Sequence, residues 1–209
     1  QYHLDLQVWN IIFAESLLPI MEEFETDVEE IDRMRIIITK SKENLHTKFR
    51  DPNDLLYKDT DGNSFSAHLG YDNLFPLMFG LIENNSDELK NVLDLIRDET
   101  KLWSLSGVRS LSRTDEYYRK NDNYWTQPIW INMNYLVLRG LKLYYNDNEK
   151  ARGVYQELRE NLMRTVCDEW KNTGFFWETF DDNSRKGSHH NFFNGWTSLF
   201  ILIISEKYK

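Results

Sequence analysis

The stretch DNEKARGVYQELRENLMRTVCDEWKNTG, Asp147 to Gly174, decides the fold class. Within it Ala151, Tyr155, Leu158, Leu162, Val166 and Trp170 recur at three- and four-residue steps, the spacing of one stripe along a long helix. Gly174 then supplies the residue type that most readily ends a helix. The same periodicity continues on both sides. Ile131 to Tyr145 reads as a helix, Phe175 to Asp182 as a loop or short strand, and Thr197 to Lys207 as a final helix. Toward the N-terminus, Trp9, Phe13, Leu17, Ile20 and Phe24 predict the apolar face of a first helix, and a second helix follows an acidic stretch. Ser86 is expected to cap a helix carrying Leu89, Val92, Leu93 and Ile96, with Asp87 and Glu88 in its first turn. Only Leu55 to His68 breaks the pattern, because apolar residues flank the turn signal Asp61-Gly62 and fit a short hairpin. The reading is an all-α chain of about seven helices in antiparallel pairs with a short β-hairpin insertion, and no domain boundary within residues 1–209.

Composition narrows the function classes. A chain of 209 residues with 41% hydrophobic and 28% charged residues can build a core, which excludes disorder as the main state. A net charge of −9 without a basic cluster argues against a nucleic-acid partner, since phosphate contacts need arrayed Lys and Arg. Glu22, Glu23, Glu25, Asp27, Glu29, Glu30 and Asp32 repel one another too strongly for a dry site and read as a solvated helix end. Cys167, the single cysteine, sits in the long helix as a small residue near the core and cannot form an internal disulfide. The longest apolar run, Trp196 to Ile204, is about half the ~20 residues that cross a bilayer. Gln1 opens neither a basic nor an apolar leader segment, so no signal peptide is visible, and the missing initiator Met suggests a truncated chain. Asn84-Asn85-Ser86 permits N-glycosylation if the chain enters the secretory route.

Metal and cofactor chemistry find no signature. His3, His46, His68, His189 and His190 lack ligand spacing, and adjacent His189 and His190 do not readily aim at one ion. Asp59-Thr60-Asp61-Gly62-Asn63 resembles a calcium loop only superficially, because an EF-hand needs Gly at its sixth position and Glu at its twelfth. No serine nucleophile elbow, phosphate loop or paired-Cys motif is present. No metal and no cofactor are therefore expected.

The chemistry concentrates in the second half. Tyr124-Trp125 with Trp130, Phe175-Phe176-Trp177, and Phe192-Phe193 with Trp196 form three aromatic clusters at helix boundaries, where successive hairpins can converge. One such aromatic alone more often packs a core; three at loop ends, with Asn and carboxylates beside them, suit a sugar's apolar faces and hydroxyl edges. Glu178 follows directly on Phe176-Trp177. A carboxylate against aromatic rings loses solvation, the tuning by which glycosidases make an acid or a base, although an exposed loop Glu fits the same residues.

Several co-linear segments carry a resemblance: HLDLQVW (His3 to Trp9), LGYDNLFPL (Leu69 to Leu77), LWSLSGVRSLS (Leu102 to Ser112), NYWTQPIWINMNYL (Asn123 to Leu136), TGFFWETFDD (Thr173 to Asp182) and FNGWTSL (Phe193 to Leu199). Together they resemble the C-terminal catalytic domain of the mannosyl-oligosaccharide glucosidases, the processing α-glucosidases of glycoside hydrolase family 63, over nearly the whole chain. The resemblance implies an (α/α)6 toroid, of which this chain is the C-terminal part, whose pocket removes the terminal α-1,2-linked glucose from the N-glycan precursor with inversion. It implies that Glu178 is the general base, and that the general acid is an Asp in an Asp-Asp-Tyr-Pro-Arg-like segment that this chain does not contain; Asp5 belongs to a later motif. It places Trp125, Trp130, Asn132, Trp177 and Trp196 nearest the sugar, with Arg109 a further candidate. It also implies an endoplasmic-reticulum lumenal protein, held by a membrane anchor upstream of Gln1 and packed on the rest of its catalytic domain.

Two departures stand out. Trp125-Thr126-Gln127-Pro128 stands where the family has Trp-Arg-Gly-Pro, and Leu105-Ser106-Gly107 where a Pro-aromatic-Gly sequence is common. With one of the two carboxylates that inverting hydrolysis needs, the isolated chain is expected to be inactive. The alternative from a different class is a noncatalytic helical scaffold or carbohydrate-binding module of the same fold.

Overall fold

A computed structural model describes residues 1–24, 27–120, 124–126 and 128–208, so Glu25 of the acidic stretch and Gln127 lie outside the described residues. Among those described there are seven α-helices and four short strands. They form two compact units, Gln1–Ala67 and His68–Lys209.

The first unit is built on α1 (Leu4–Glu23) and α2 (Val28–Lys48). Asp27 caps α2 by accepting a hydrogen bond from the Glu29 amide at 2.8 Å. Leu4, Val8 and Ile11 are fully buried on α1, with Leu45 on α2. The expected face of α1 is a different one: Trp9, Phe13, Ile20 and Phe24 are exposed, Phe24 to 76%. Apolar residues recur on α1 along two stripes, and periodicity identifies a helix without saying which stripe meets a neighbour. The 20 residues of α1 are also long and apolar enough to cross a membrane, a longer candidate than the Trp196 run. In this unit its Leu4–Val8–Ile11 stripe is covered by protein.

After α2 the hairpin expected over Leu55 to His68 is reduced to isolated bridges, including Thr60 with Phe65. Its turn is as expected. Gly62 takes a left-handed φ of 95°, and the Asp61 carboxylate accepts from the Asn63 and Ser64 amides at 2.8 Å. Those backbone amides hold the Asp61 pKa below the usual carboxylate range, so its charge serves the turn itself.

The second unit runs from a 3-10 turn (Tyr71–Leu74) through α3 (Phe75–Met78), α4 (Asp87–Arg97), the β1–β2 hairpin (Trp103–Ser104 and Gly107–Val108), α5 (Ile131–Tyr144) and α6 (Glu149–Thr173). It continues through the β3–β4 hairpin (Trp177–Phe180 and Gly187–Asn191) to a 3-10 turn (Trp196–Leu199) and α7 (Phe200–Ser205). Helix α6 has both of its ends specified. Asn148 accepts from the Ala151 amide at 3.0 Å, and Gly174 closes the helix in the left-handed conformation at φ 77°. Its stripe of Ala151, Tyr155, Leu158, Leu162 and Val166 is buried, while Trp170, one turn on, is half exposed. Cys167 on this helix is half-buried and free.

Ser86 caps α4 through the Leu89 amide at 3.1 Å, and Leu89, Val92, Leu93 and Ile96 enter the core. Helix α5 packs against both α6 and α3. At Gly140 the approach to α3 is backbone to backbone: a Cβ there would lie 2.5 Å from the Leu77 carbonyl oxygen. The final helix is shorter than its pattern, because Glu206 turns left-handed at φ 52° and ends α7 before Lys207.

Candidate active site

Two elements carry the site, and each is anchored before it presents a functional group. The first is the entry to α5. Tyr71, Asn134 and the Val108 backbone form a buried knot in which the Tyr71 hydroxyl donates to the Val108 carbonyl at 2.8 Å. The same hydroxyl accepts from the Trp130 amide at 3.1 Å and from Asn134 Nδ2 at 3.0 Å. Asn134 Oδ1 accepts from the Val108 amide at 2.8 Å. Burial pushes the Tyr71 phenol well above its ordinary value, so it remains a donor. The knot sets where Trp130 leaves the chain. Trp130, 1% exposed, stacks on half-exposed Trp125 with ring centroids 3.8 Å apart and planes 3° from parallel.

The second element is the β3–β4 hairpin. Its β3 strand is bound to the α5 entry by reciprocal hydrogen bonds between Ile129 and Phe180, at 2.7 and 3.1 Å. Trp177 pairs with Asn191 and Thr179 with Ser188, so β4 carries one extra residue opposite Glu178. Such a bulge re-aims side chains, and here His189 takes a left-handed φ of 63°. Thr179 Oγ1 contacts His189 Nδ1 at 2.6 Å, which holds the bulged residue.

Glu178 emerges between these elements with only 4% of its surface exposed. The Tyr124 hydroxyl donates to its Oε1 at 2.5 Å, and the Trp196 indole donates to its backbone carbonyl at 2.9 Å. Oε2 is buried without a hydrogen-bond partner among the described residues, and His190 Nε2 lies 3.9 Å from it. Trp130 Nε1 and Asn132 Oδ1 are likewise buried and unpartnered. Buried polar atoms are almost always satisfied in folded proteins, so the orphaned Glu178 Oε2 and Trp130 Nε1 at the aromatic wall are groups that a polar, flat-faced ligand can complete. A free carboxylate oxygen there can accept a proton from a bound water.

The structure therefore brings together Glu178, Trp125, Trp130 and Trp196, whose ring lies 5.4 Å from that of Trp130; Asn132 lies in the first turn of α5, two residues after Trp130. It does not bring Trp177 or Arg109 to the cluster. The Trp177 indole donates to Thr173 Oγ1 at 3.2 Å and covers Gly187, whose Cβ, if it had one, would lie 2.0 Å from the ring. The Arg109 guanidinium is buried against the Asp182 carboxylate at 2.5 Å and donates to the carbonyls of Glu99, Lys101 and Trp103. Of the two departures, Thr126 donates to the Lys120 carbonyl at 3.1 Å, and Ser106 donates to the Asp182 carbonyl at 3.1 Å. Sequence reasoning placed Tyr124 in an aromatic cluster and missed its hydroxyl, and it read His190 only as a residue without metal-ligand spacing. Neither role has a sequence signal, because one arises from a contact across 54 residues and the other from the bulge.

Residues 56–206 match the glycosyl hydrolase family 63 C-terminal domain. The chain belongs to this glycoside hydrolase family. The family 63 chain is 39% identical to a probable mannosyl-oligosaccharide glucosidase of Schizosaccharomyces pombe, a match covering 100% of this chain and 27% of that protein. It is 30% identical to the mannosyl-oligosaccharide glucosidase of Saccharomyces cerevisiae, over 99% of this chain and 26% of the yeast protein. The chain thus spans about a quarter of the length of these relatives. In fold it is similar to the family 63 mannosylglycerate hydrolase of Thermus thermophilus solved with glucose. The TM-score is 0.71 at 17% identity, covering 97% of this chain and 47% of that one. The helical, toroid-type architecture expected of a family 63 chain is the one observed.

Proposed function

We propose that this chain is the base-bearing part of an inverting exo-α-glucosidase that removes the terminal α-1,2-linked glucose from the N-glycan precursor. The observation that carries the reading is Glu178, a buried carboxylate with one oxygen held and the other free, set against stacked tryptophans in a family 63 chain. In this reading Glu178 activates the water, Trp125, Trp130 and Trp196 receive the glucose ring, and Asn132 meets a hydroxyl. Trp177 and Arg109 act from behind, by supporting the β3–β4 hairpin. Both compact units belong to one catalytic domain, in keeping with a relative that matches all of the chain. The general acid comes from a segment outside these 209 residues, and the whole protein works in the endoplasmic-reticulum lumen, as its processing-glucosidase relatives suggest.

The test is to give the full-length protein a glucosylated N-glycan and follow the released sugar by proton NMR. The expected first product is β-glucose, since water attacks the face opposite the departing glycan. Initial α-glucose overturns the inverting reading, and glycan binding without release favours the noncatalytic one. The 209-residue chain alone is expected to release no glucose and to bind a hydrophobic dye through the exposed Phe13, Ile20 and Phe24. Measurable α-1,2-glucosidase activity from it would show that a second carboxylate of this chain serves as the acid.

A further inference from the structure

The phenol that reaches Glu178 comes from the α5-entry segment. Tyr124 is gripped edge-on by three rings: Trp130 at 4.8 Å and 84°, His189 at 4.9 Å and 84°, and Trp125 at 6.0 Å and 82°. Its hydroxyl donates to Glu178 Oε1 at 2.5 Å while Oε2 stays buried and unpartnered among the described residues. A carboxylate turns readily about its terminal torsion, and without a fixed donor its two oxygens exchange places. We propose that Tyr124 is a positioning residue that clamps Oε1 and so designates Oε2 as the oxygen that takes the proton from water. The inference rests on the reading of Glu178 as the general base.

The surroundings leave this task to the phenol. On β4, His189 Nδ1 faces Thr179 Oγ1, and His190 reaches only 3.9 Å from Oε2 with its own side chain 83% exposed. The α5 entry and the 3-10 turn present uncharged indoles, Trp130 and Trp196, the latter bonded to the Glu178 backbone and not to its carboxylate. Further along the chain from β3, Asp181 and Asp182 are paired with Arg119, and Asp182 with Arg109 as well. The hydrogen bond to Glu178 pushes the Tyr124 phenol up to about 12, so it remains a donor throughout the neutral range.

The experiment compares wild type, Tyr124→Phe and Glu178→Gln in the full-length protein on the same glucosylated glycan, with a thermal melt of each. Removing the hydroxyl leaves the ring contacts but takes the donor from a buried carboxylate oxygen, so Tyr124→Phe is expected to fold and to melt somewhat below wild type. Its kcat is expected to fall about 10- to 100-fold with KM within about twofold, the scale of a misplaced catalytic group. Wild-type kcat, with Glu178→Gln inactive, overturns the Tyr124 proposal alone. A raised KM at unchanged kcat overturns it too, by assigning the phenol to binding. Activity in Glu178→Gln overturns the base assignment, and the Tyr124 proposal with it.

Discussion

Glu178→Gln in the full-length protein is expected to lower kcat for glucose release by about 10²- to 10⁴-fold, the range over which a positioned general base accelerates proton transfer. The substitution preserves shape. The side-chain amide oxygen can still accept from Tyr124, and the Trp196 indole, bonded to the backbone carbonyl, is untouched. What is lost is the capacity of the second position to take a proton, since an amide nitrogen donates where Oε2 accepted. KM is expected to stay within about threefold, because the aromatic wall of Trp125 and Trp130 is unchanged. Stability is expected to hold or rise, because a buried carboxylate with an unpartnered oxygen is exchanged for a neutral group. Steady-state kinetics, calorimetric glycan binding and a melt separate these terms. Hydrolysis at the wild-type rate would reject Glu178 as the base, whatever the other two measurements show.

Much of this site was legible in the sequence, but unevenly, and the division follows the range of the interactions. The α6 stripe and its Asn148 and Gly174 ends are local properties, written in residues three or four apart, and the chain adopts them. So is the Ser86 cap. The Trp9–Phe24 face failed because two apolar stripes share α1 and only packing chooses between them. The short strands β1, β2 and β4 escaped because two to five residues do not establish a period. At the site, the ordered motifs pointed to Glu178, Trp125, Trp130 and Trp196, which the structure gathers. Arg109 was the least legible: the resemblance offers it as a further candidate for the sugar, whereas its partner Asp182 lies 73 residues away. Tyr124 was legible as a ring and not as a hydroxyl, since nothing local shows which carboxylate it meets.

That Arg109–Asp182 contact carries the second large expectation: Asp182→Ala should destabilise the domain by about 3–5 kcal/mol at pH 7, the cost of stranding a buried partner charge. Asp182 has no exposed side-chain surface, and Arg109 shows 4% of its own. The carboxylate accepts from Tyr118 on Oδ2 at 2.6 Å, from Arg109 on the same oxygen at 2.5 Å, and from Arg119 on Oδ1 at 2.9 Å. Burial by itself pushes the Asp182 pKa up, but the bonds from Tyr118, Arg109 and Arg119 outweigh it and leave the carboxyl below its ordinary value. A depressed carboxylate contributes stability that is complete above its unfolded pKa of about 3.9 and is lost as pH falls through the folded value. Wild type and Asp182→Ala should therefore differ fully at about pH 5–7 and converge in strong acid, as read from urea midpoints across that range. A difference below about 1 kcal/mol at pH 7 would show that the network is dispensable. The consequence for catalysis is positional: Asp182 lies two residues after β3, so releasing it frees the turn that leads into β4 while the Ile129–Phe180 hydrogen bonds still pin the end of β3. Activity in this variant should then fall through a loosened hairpin, recovering as temperature is lowered, whereas Glu178→Gln stays inactive at every temperature because its defect is chemical.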